Sequence, residues 1–423
     1  MKITPFQAVV LAVFAVAIVA AVVVLAITKS SSHGSGMPVV IWGSIPQRSF
    51  SSALAQLTQG SNGLKINYVE KRADTFDQDI VEALASGTGP DAVLLPQDLI
   101  GRYRDKVLPL SFATMPLPTF KTTFVQEGEL FLDQNGILAL PFSLDPLVMY
   151  WNRDMLSNAG IARPPQSWDE FITLVPKLTT VDRNFNILKS GVALGEYRNI
   201  TNAKDIIAAL LLQTGNPITT LTSQGIAVSL VASLSSIGAI NFYTDFSNPV
   251  KPDYSWNRAL PNSLDMFTAG DLAFYFGFVS EISNIRDKNP NLNFDVTYFP
   301  EPKGAPVAIT LGKMQGLAVL KNSRNSKDAF EAILAISGSG PLGLFAQSTG
   351  LPPVRRDMLS INPADPYQSI FYNSAIRARG WLDPNPAASG NVFRDMIESI
   401  TGGALEAGRA IGAAAADLNN SLR

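Results

Sequence analysis

The order of strand and helix signals is the tightest constraint on this chain. Pro38 to Gly43 (PVVIWG) is a short apolar run of the kind that makes a buried strand. Leu64 to Arg72 (LKINYVEKR) reads as a second strand. Thr75 and Gln78 have the T-x-x-Q spacing of a capping box. Phe76, Ile80, Val81 and Leu84 then recur at helical spacing, and Gly87 is a stop signal. Gly87 to Pro96 (GTGPDAVLLP) reads as a turn and a third strand. Strand, helix and strand in this order predict an α/β fold with a mostly parallel sheet and helices on its faces. Ligands of such sheets sit beyond the carboxyl ends of the strands. Trp42, Gln97 and Asp98 stand at two of those ends.

Further along, helical patterns dominate. Ser167 and Glu170 have capping-box spacing, and Thr201 to Gly215 has a cap, an apolar face and a glycine end. Asn262 to Gly277 reads as helix, turn and strand. Phe294 to Pro302 and Gly312 to Leu320 read as strands, the latter leading to a helix capped near Asn325 or Ser326. The tail beyond Asn391 is Ala-rich and helical. Asp133 to Gly136 (DQNG) reads as an Asn-Gly hairpin turn rather than a calcium loop.

The N-terminus bears on location. Every residue from Ala8 to Ile27 is apolar, a length that spans a bilayer as a helix. A cleaved signal peptide has a shorter apolar core of about 7–15 residues and an A-x-A-like site, and "LAITKSSS" is a poor match to that site. The reading is a short cytoplasmic stub (1–5), a single-pass signal anchor (6–28) in the cell membrane and a Ser/Gly linker (29–37). The main body is then extracytoplasmic. A cleaved signal peptide, the alternative, exports the body as well.

Composition removes several functions. There is no Cys, which excludes disulfides and thiolate chemistry. The one His, His33, lies in the linker, so neither a Ser-His-Asp triad nor a multi-His zinc site has its parts. No cofactor or metal is expected. The net charge is -2 without a basic cluster, which argues against nucleic acid as a partner. Two or three domain-sized units fit 423 residues.

One stretch stands out chemically. Leu138 to Leu156 (LALPFSLDPLVMYWNRDML) places a single acid, Asp145, between apolar runs. Three roles compete for it: a structural acid, half of a catalytic pair, or an acceptor for a bound ligand.

Five phrases in order resemble a known family: "SGTGPDAVLLP", "NGILALPFSLDPLVMYWNRDML", "PPQSWDEF", "FTAGDLAFYFG" and "NSKDAFEAILAI…STGLPPVRRDML". They are similar to the family 1 extracellular solute-binding proteins, the maltose-binding-protein-like sugar-binding subunits of ABC importers. The resemblance runs from about Pro38 to the C-terminus. It implies a two-lobed, type II periplasmic-binding-protein-like fold with a hinge. Lobe one would hold 38–144 plus about 303–345, and lobe two 145–302 plus about 346–423. It also implies importer membrane subunits as partners, a small polar solute, above all a sugar, as ligand, and a monomeric state.

The resemblance turns Asp145 toward the cleft as an acceptor for sugar hydroxyls, which suits an ionised carboxylate. It makes ligand contacts of Gln97, Asp98, Glu196 and Tyr197, with Trp42, Trp256 and Trp381 as aromatic surfaces. Lobe packing competes as the role of Trp42, helix capping as that of Asp98, and a solvated loop as that of Glu196 and Tyr197. Where family members often carry a tryptophan, this chain has Ser280 in "GDLAFYFGFVSEI". That loses a stacking surface, so either Trp256 or Trp381 compensates or the ligand is smaller and more polar. Two other functions stay open: a two-carboxylate glycosidase drawing on Asp145, Glu196 and Glu281, and a sensing or adhesion module without an importer.

Overall fold

The computed structural model describes residues 38–58, 64–184, 186–222, 225–361 and 363–422. The expected stub, membrane anchor and linker (1–37) lie outside the described residues. Among the described residues no single helix is long and apolar enough to cross a membrane.

Three strands open the fold: β1 (Val39–Gly43), β2 (Ile66–Glu70) and β3 (Ala92–Pro96). β1 lies between the other two and pairs parallel with both. β4 (Leu140–Asn152), β5 (Ile187–Val192), β6 (Leu272–Phe278), β7 (Phe294–Thr297) and β8 (Thr310–Leu320) follow. The sheet runs β2-β1-β3-β8-β4-β6-β5, ends on Thr180–Val181, and carries β7 against β4. The expected mostly parallel sheet is corrected at its centre. There β8 pairs antiparallel with β3 and β4, and β4 antiparallel with β6. The long strands cross between the lobes directly and in opposite directions, so they need no helical crossover and pair antiparallel.

The buried apolar residues form two cores. Lobe one gathers Val39 to Leu144 together with Met314 to Leu359. Lobe two gathers Leu147 to Leu311 together with Phe393 to Leu418. β4 therefore leaves one core after Leu144 and enters the other at Leu147, and β8 makes the reverse passage between Leu311 and Met314. In the register of the two strands Asp145 faces Lys313 and Pro146 faces Gly312. The chain passes between lobes again near its end. Ala375, Ala378 and Leu382 pack in lobe one, and Phe371 and Trp381 in lobe two. Residues 346–423 thus serve both cores rather than lobe two alone, since Val354 and Leu359 also pack in lobe one, and Ala378–Arg379 pairs with the crossing strand β8.

Local signals translate unevenly. Gly87 ends its helix in the left-handed conformation, φ 71°. Asp133 pairs with Gly136 across the expected hairpin. Neither capping box forms. Thr75 makes no side-chain cap bond, and Gln78 donates to Glu82 instead at 2.7 Å. Ser167 also makes none, and Glu170 accepts from Arg163 and from the Gln166 backbone, each at 3.0 Å. An arginine fork outcompetes a serine backbone amide for that carboxylate.

Trp256 corrects the expectation of a ligand platform. It is 0% exposed within lobe two, and its indole N–H donates to Asn199 Oδ1 at 3.2 Å. The flanking polar residues of "DYSWNRAL" mark a loop, but the indole turns inward because it can bury its apolar area and still satisfy its one donor. Trp256→Ala is expected to cost about 3–5 kcal/mol, read as a lower denaturation midpoint of the full-length chain.

Candidate functional site

Period-two alternation puts Ser143 and Asp145 on one face of β4, and Lys313 and Gln315 on one face of β8. The register sets Asp145 opposite Lys313 and Ser143 opposite Gln315. Two crossing strands therefore present a polar square at the boundary between the two cores. The square lines a cavity of about 520 Å³. Gln97 and Asp98, from the turn after β3, and Ser280, after β6, line the same cavity, with Ile45, Phe345 and Leu351 as apolar wall. This size and mixture suit a small polar solute.

Asp145 accepts a hydrogen bond from the Ser280 backbone amide at 3.1 Å, a contact between the crossing strand and lobe two. Burial pushes its carboxyl up to about 6, Ser280 opposes the shift, Glu281 adds to it and Lys313 opposes it. Burial also pushes Asp98 up to about 6. Asp383 and Asp205 add to that shift, and Lys204 and Lys313 oppose it. Asp383, Asp205 and Lys204 lie on the lobe-two side and Lys313 at the crossing, so Asp98 looks across the cleft. Lys313 donates to Asp205 at 2.9 Å and lies 4.0 Å over the Phe278 ring. Lys204 pairs with Asp383.

Gln97 lines the cavity with its amide already committed. Its Nε2 donates to the Gly312 carbonyl at 3.2 Å, and its Oε1 accepts from the Met314 amide at 2.8 Å. It ties the end of β3 to β8 where β8 changes lobes. Glu127 lies behind it, 2% exposed, with neither carboxylate oxygen partnered. Burial pushes Glu127 up to about 8, Arg379 opposes the shift and Asp98 adds to it. A Cβ at Gly312 would collide with Glu127 Oε2, and one at Gly380 would stand 2.8 Å from Glu127 Oε1 and 2.7 Å from Gln97 Nε2. Glycine at these two positions is what lets the backbone pass so close.

Of the residues singled out in the sequence, Gln97, Asp98, Asp145 and Ser280 come together. The others lie elsewhere. Trp42 falls within β1 rather than past it, with Lys71 Nζ 3.9 Å over its ring. Glu196 is bound by Arg258 at 3.2 Å, away from the cavity lining. Tyr197 is partly buried, with Asp205 and Asp383 near enough to help burial raise its hydroxyl to about 12. Trp381 is 6% exposed and packs on Phe393 at 5.9 Å, beneath Lys204, so little of its ring is open to a ligand. A glycine-rich loop does not keep a tryptophan at the surface when a hydrophobic helix passes beside it. Among the three carboxylates weighed for hydrolysis, Glu281 accepts from Asn202, from the Phe278 amide and from Tyr275. With Glu196 also committed, neither is a free partner for Asp145. Ser143, Lys313 and Gln315 were not foreseen, although alternation about Asp145 and within "GKMQG" carries that information.

A cavity of about 660 Å³ on lobe two holds Arg163 and Glu170, which pair with each other at 3.0 Å.

The pH dependence of stability follows from the raised carboxyls. Folding favours their protonated forms, so their contribution is fully present below the ordinary carboxylate range and is lost as pH rises through the folded values. Asp98 and Asp145 lose theirs by about 6 and Glu127 by about 8. The Tm of the full-length chain is expected to fall between about pH 4 and 8, the window these values set. Glu127→Gln should flatten the part above pH 6. An unchanged slope would show that Glu127 is not the group responsible.

Comparison with known proteins places the chain. The family model for bacterial extracellular solute-binding proteins matches residues 43–334. A protein of Brucella abortus (strain 2308), described only as a binding protein, is 21% identical over 309 residues, 70% of each chain. A cyclo/maltodextrin-binding protein solved with maltotetraose superposes with a TM-score of 0.75 at 15% identity, over 92% of this chain and 98% of that one. The UgpB protein of Mycobacterium tuberculosis, solved with glycerophosphocholine, gives 0.70 at 18% identity, over 92% and 99%. A cyclic alpha-maltosyl-1,6-maltose binding protein of Arthrobacter globiformis gives 0.73 at 16%, over 92% and 99%. With its two α/β lobes and a family match over more than half its length, the chain belongs to the bacterial extracellular solute-binding proteins.

Proposed function

We propose that this protein captures a small polar solute, a carbohydrate or close relative, in the cavity between its lobes and delivers it to an ABC importer. The observation that carries the reading is the polar square of Ser143, Asp145, Lys313 and Gln315 on the two crossing strands, which opens into a cavity walled mainly by lobe one, with Ser280 reaching it from lobe two. A solute there touches the segments whose backbone must rotate when the lobes move. It therefore favours closure by the amount by which it binds the closed form better. The sugars bound by several structural relatives support carbohydrate as the solute class. The apolar run Ala8 to Ile27 supports tethering of the body to the outer face of the membrane, near the importer subunits that would receive the cargo.

Asp145 is the residue to test. Its carboxylate spends one acceptor on the Ser280 amide and has others for a solute. Asp145→Ala should weaken solute binding by roughly 10- to 100-fold, the worth of a hydrogen bond to a charged group. Since burial disfavours the ionised carboxyl and its one protein partner is Ser280, Tm without solute should not fall at neutral pH. Titration calorimetry on the full-length chain with mono- and oligosaccharides measures both variants, and equal affinities would remove Asp145 from the site.

A further inference from the structure

The cavity has more hydrogen-bond acceptors and negative charge than the protein itself answers. Ser143 is 5% exposed and faces the cavity, yet its hydroxyl makes no hydrogen bond to the described residues. Gln315 Oε1 is buried without a partner. Among the described residues the Asp98 carboxylate meets only charges and no hydrogen-bond donor, and Asp145 meets only Ser280, through its amide and its hydroxyl. The cations close by are already matched. Lys313 is held by Asp205, and Lys204 by Asp383. Arg379 Nη1 donates to the carbonyls of Ile376 and Ala378, and its charge acts chiefly on Glu127. Each lysine is thus shared with an acid of lobe two, and the four carboxylates of Asp98, Asp145, Asp205 and Asp383 outnumber the two lysines beside them.

An occupant that fills the cavity displaces water from two carboxylates. A neutral polyol offers them hydroxyl donors but no charge. An anion meets both as like charges. A protonated amine supplies three donors and the missing positive charge, and its bonds to carboxylates are of the stronger, charge-assisted kind. Leaving a buried carboxylate unpaired is the costly alternative. The neighbouring Ser143 hydroxyl and Gln315 amide then suit hydroxyls on the same molecule.

Taking the cleft as the solute site proposed above, we infer that the solute carries a protonated amine on a hydroxylated frame, with the ammonium at the Asp98 and Asp145 side of the cavity. Amino sugars and amino polyols are the chemical class. The unpartnered Ser143 and Gln315 are specificity residues for the hydroxylated part.

The test uses matched ligands and the full-length chain. Glucose, galactose and mannose are each titrated as the neutral sugar, the 2-amino sugar and its N-acetyl form, with maltotetraose as a neutral oligosaccharide. In at least one set the 2-amino sugar should bind roughly tenfold or more tightly than both uncharged twins, as charge-assisted bonding implies. Asp98→Asn should abolish that margin without lowering Tm. A neutral sugar that binds as tightly as its amino twin, or maltotetraose binding alone, overturns the amine inference and leaves the solute-binding reading intact. No binding by any of these probes overturns both.

Discussion

The pairing of β4 with β8 at Asp145 opposite Lys313 and Pro146 opposite Gly312 is what the rest of the structure depends on. At that pair of positions the backbone leaves one hydrophobic core and enters the other, twice and in opposite directions. Two cores without this ladder would be two domains on a linker. With it, they share one sheet, and the groove above the ladder becomes a place where both lobes reach the same molecule. The ladder must also be slim. Gly312 and Gly380 supply that, since any side chain there would run into Glu127 or Gln97. Gln97 then uses its whole amide to pin β8 at the crossing, which trades a ligand contact for a fixed geometry.

The same crossing explains the electrostatics. Strands that pass between cores are flanked by protein on most sides, so the acids on and beside them lose water. Burial is the largest cause of the upward shift at Asp98, Asp145 and Glu127 alike. The lysines that oppose the shifts at Asp98 and Asp145 are themselves paired with lobe-two carboxylates. The site is thus folded with polar groups in reserve, which is what a binding cleft requires and what a core avoids.

Aromatic residues show how far a local reading reaches. Trp256 and Trp381 sit in loops whose composition suggests exposure, yet both are buried in lobe two. A large ring carries more apolar area than its polar neighbours can keep at the surface, and its destination depends on which helices pass nearby. Glu196 is a similar case. Its sequence neighbourhood marks a loop acid, and only the fold reveals Arg258, which is 62 residues away in sequence and pairs with it. The Ser167 capping box is absent for a related reason, because Glu170 finds a stronger donor in Arg163.

By itself the sequence determined the alternation of strands and helices, the placement of Asp145 between two apolar runs, and the absence of any thiol or His-based chemistry in the body. These follow from periodicity and composition, which are local properties of the chain. Alternation also determined that Ser143 lies on the face of Asp145, and Gln315 on that of Lys313. Only the tertiary structure decided that those two faces meet. Which strands become neighbours, and which acids find their cations, is set by contacts across more than a hundred residues of chain, from Asp145 to Ser280 and from Gln97 to Gly312. Such contacts form because two cores must bury their apolar area at once, and no short window of sequence contains that requirement.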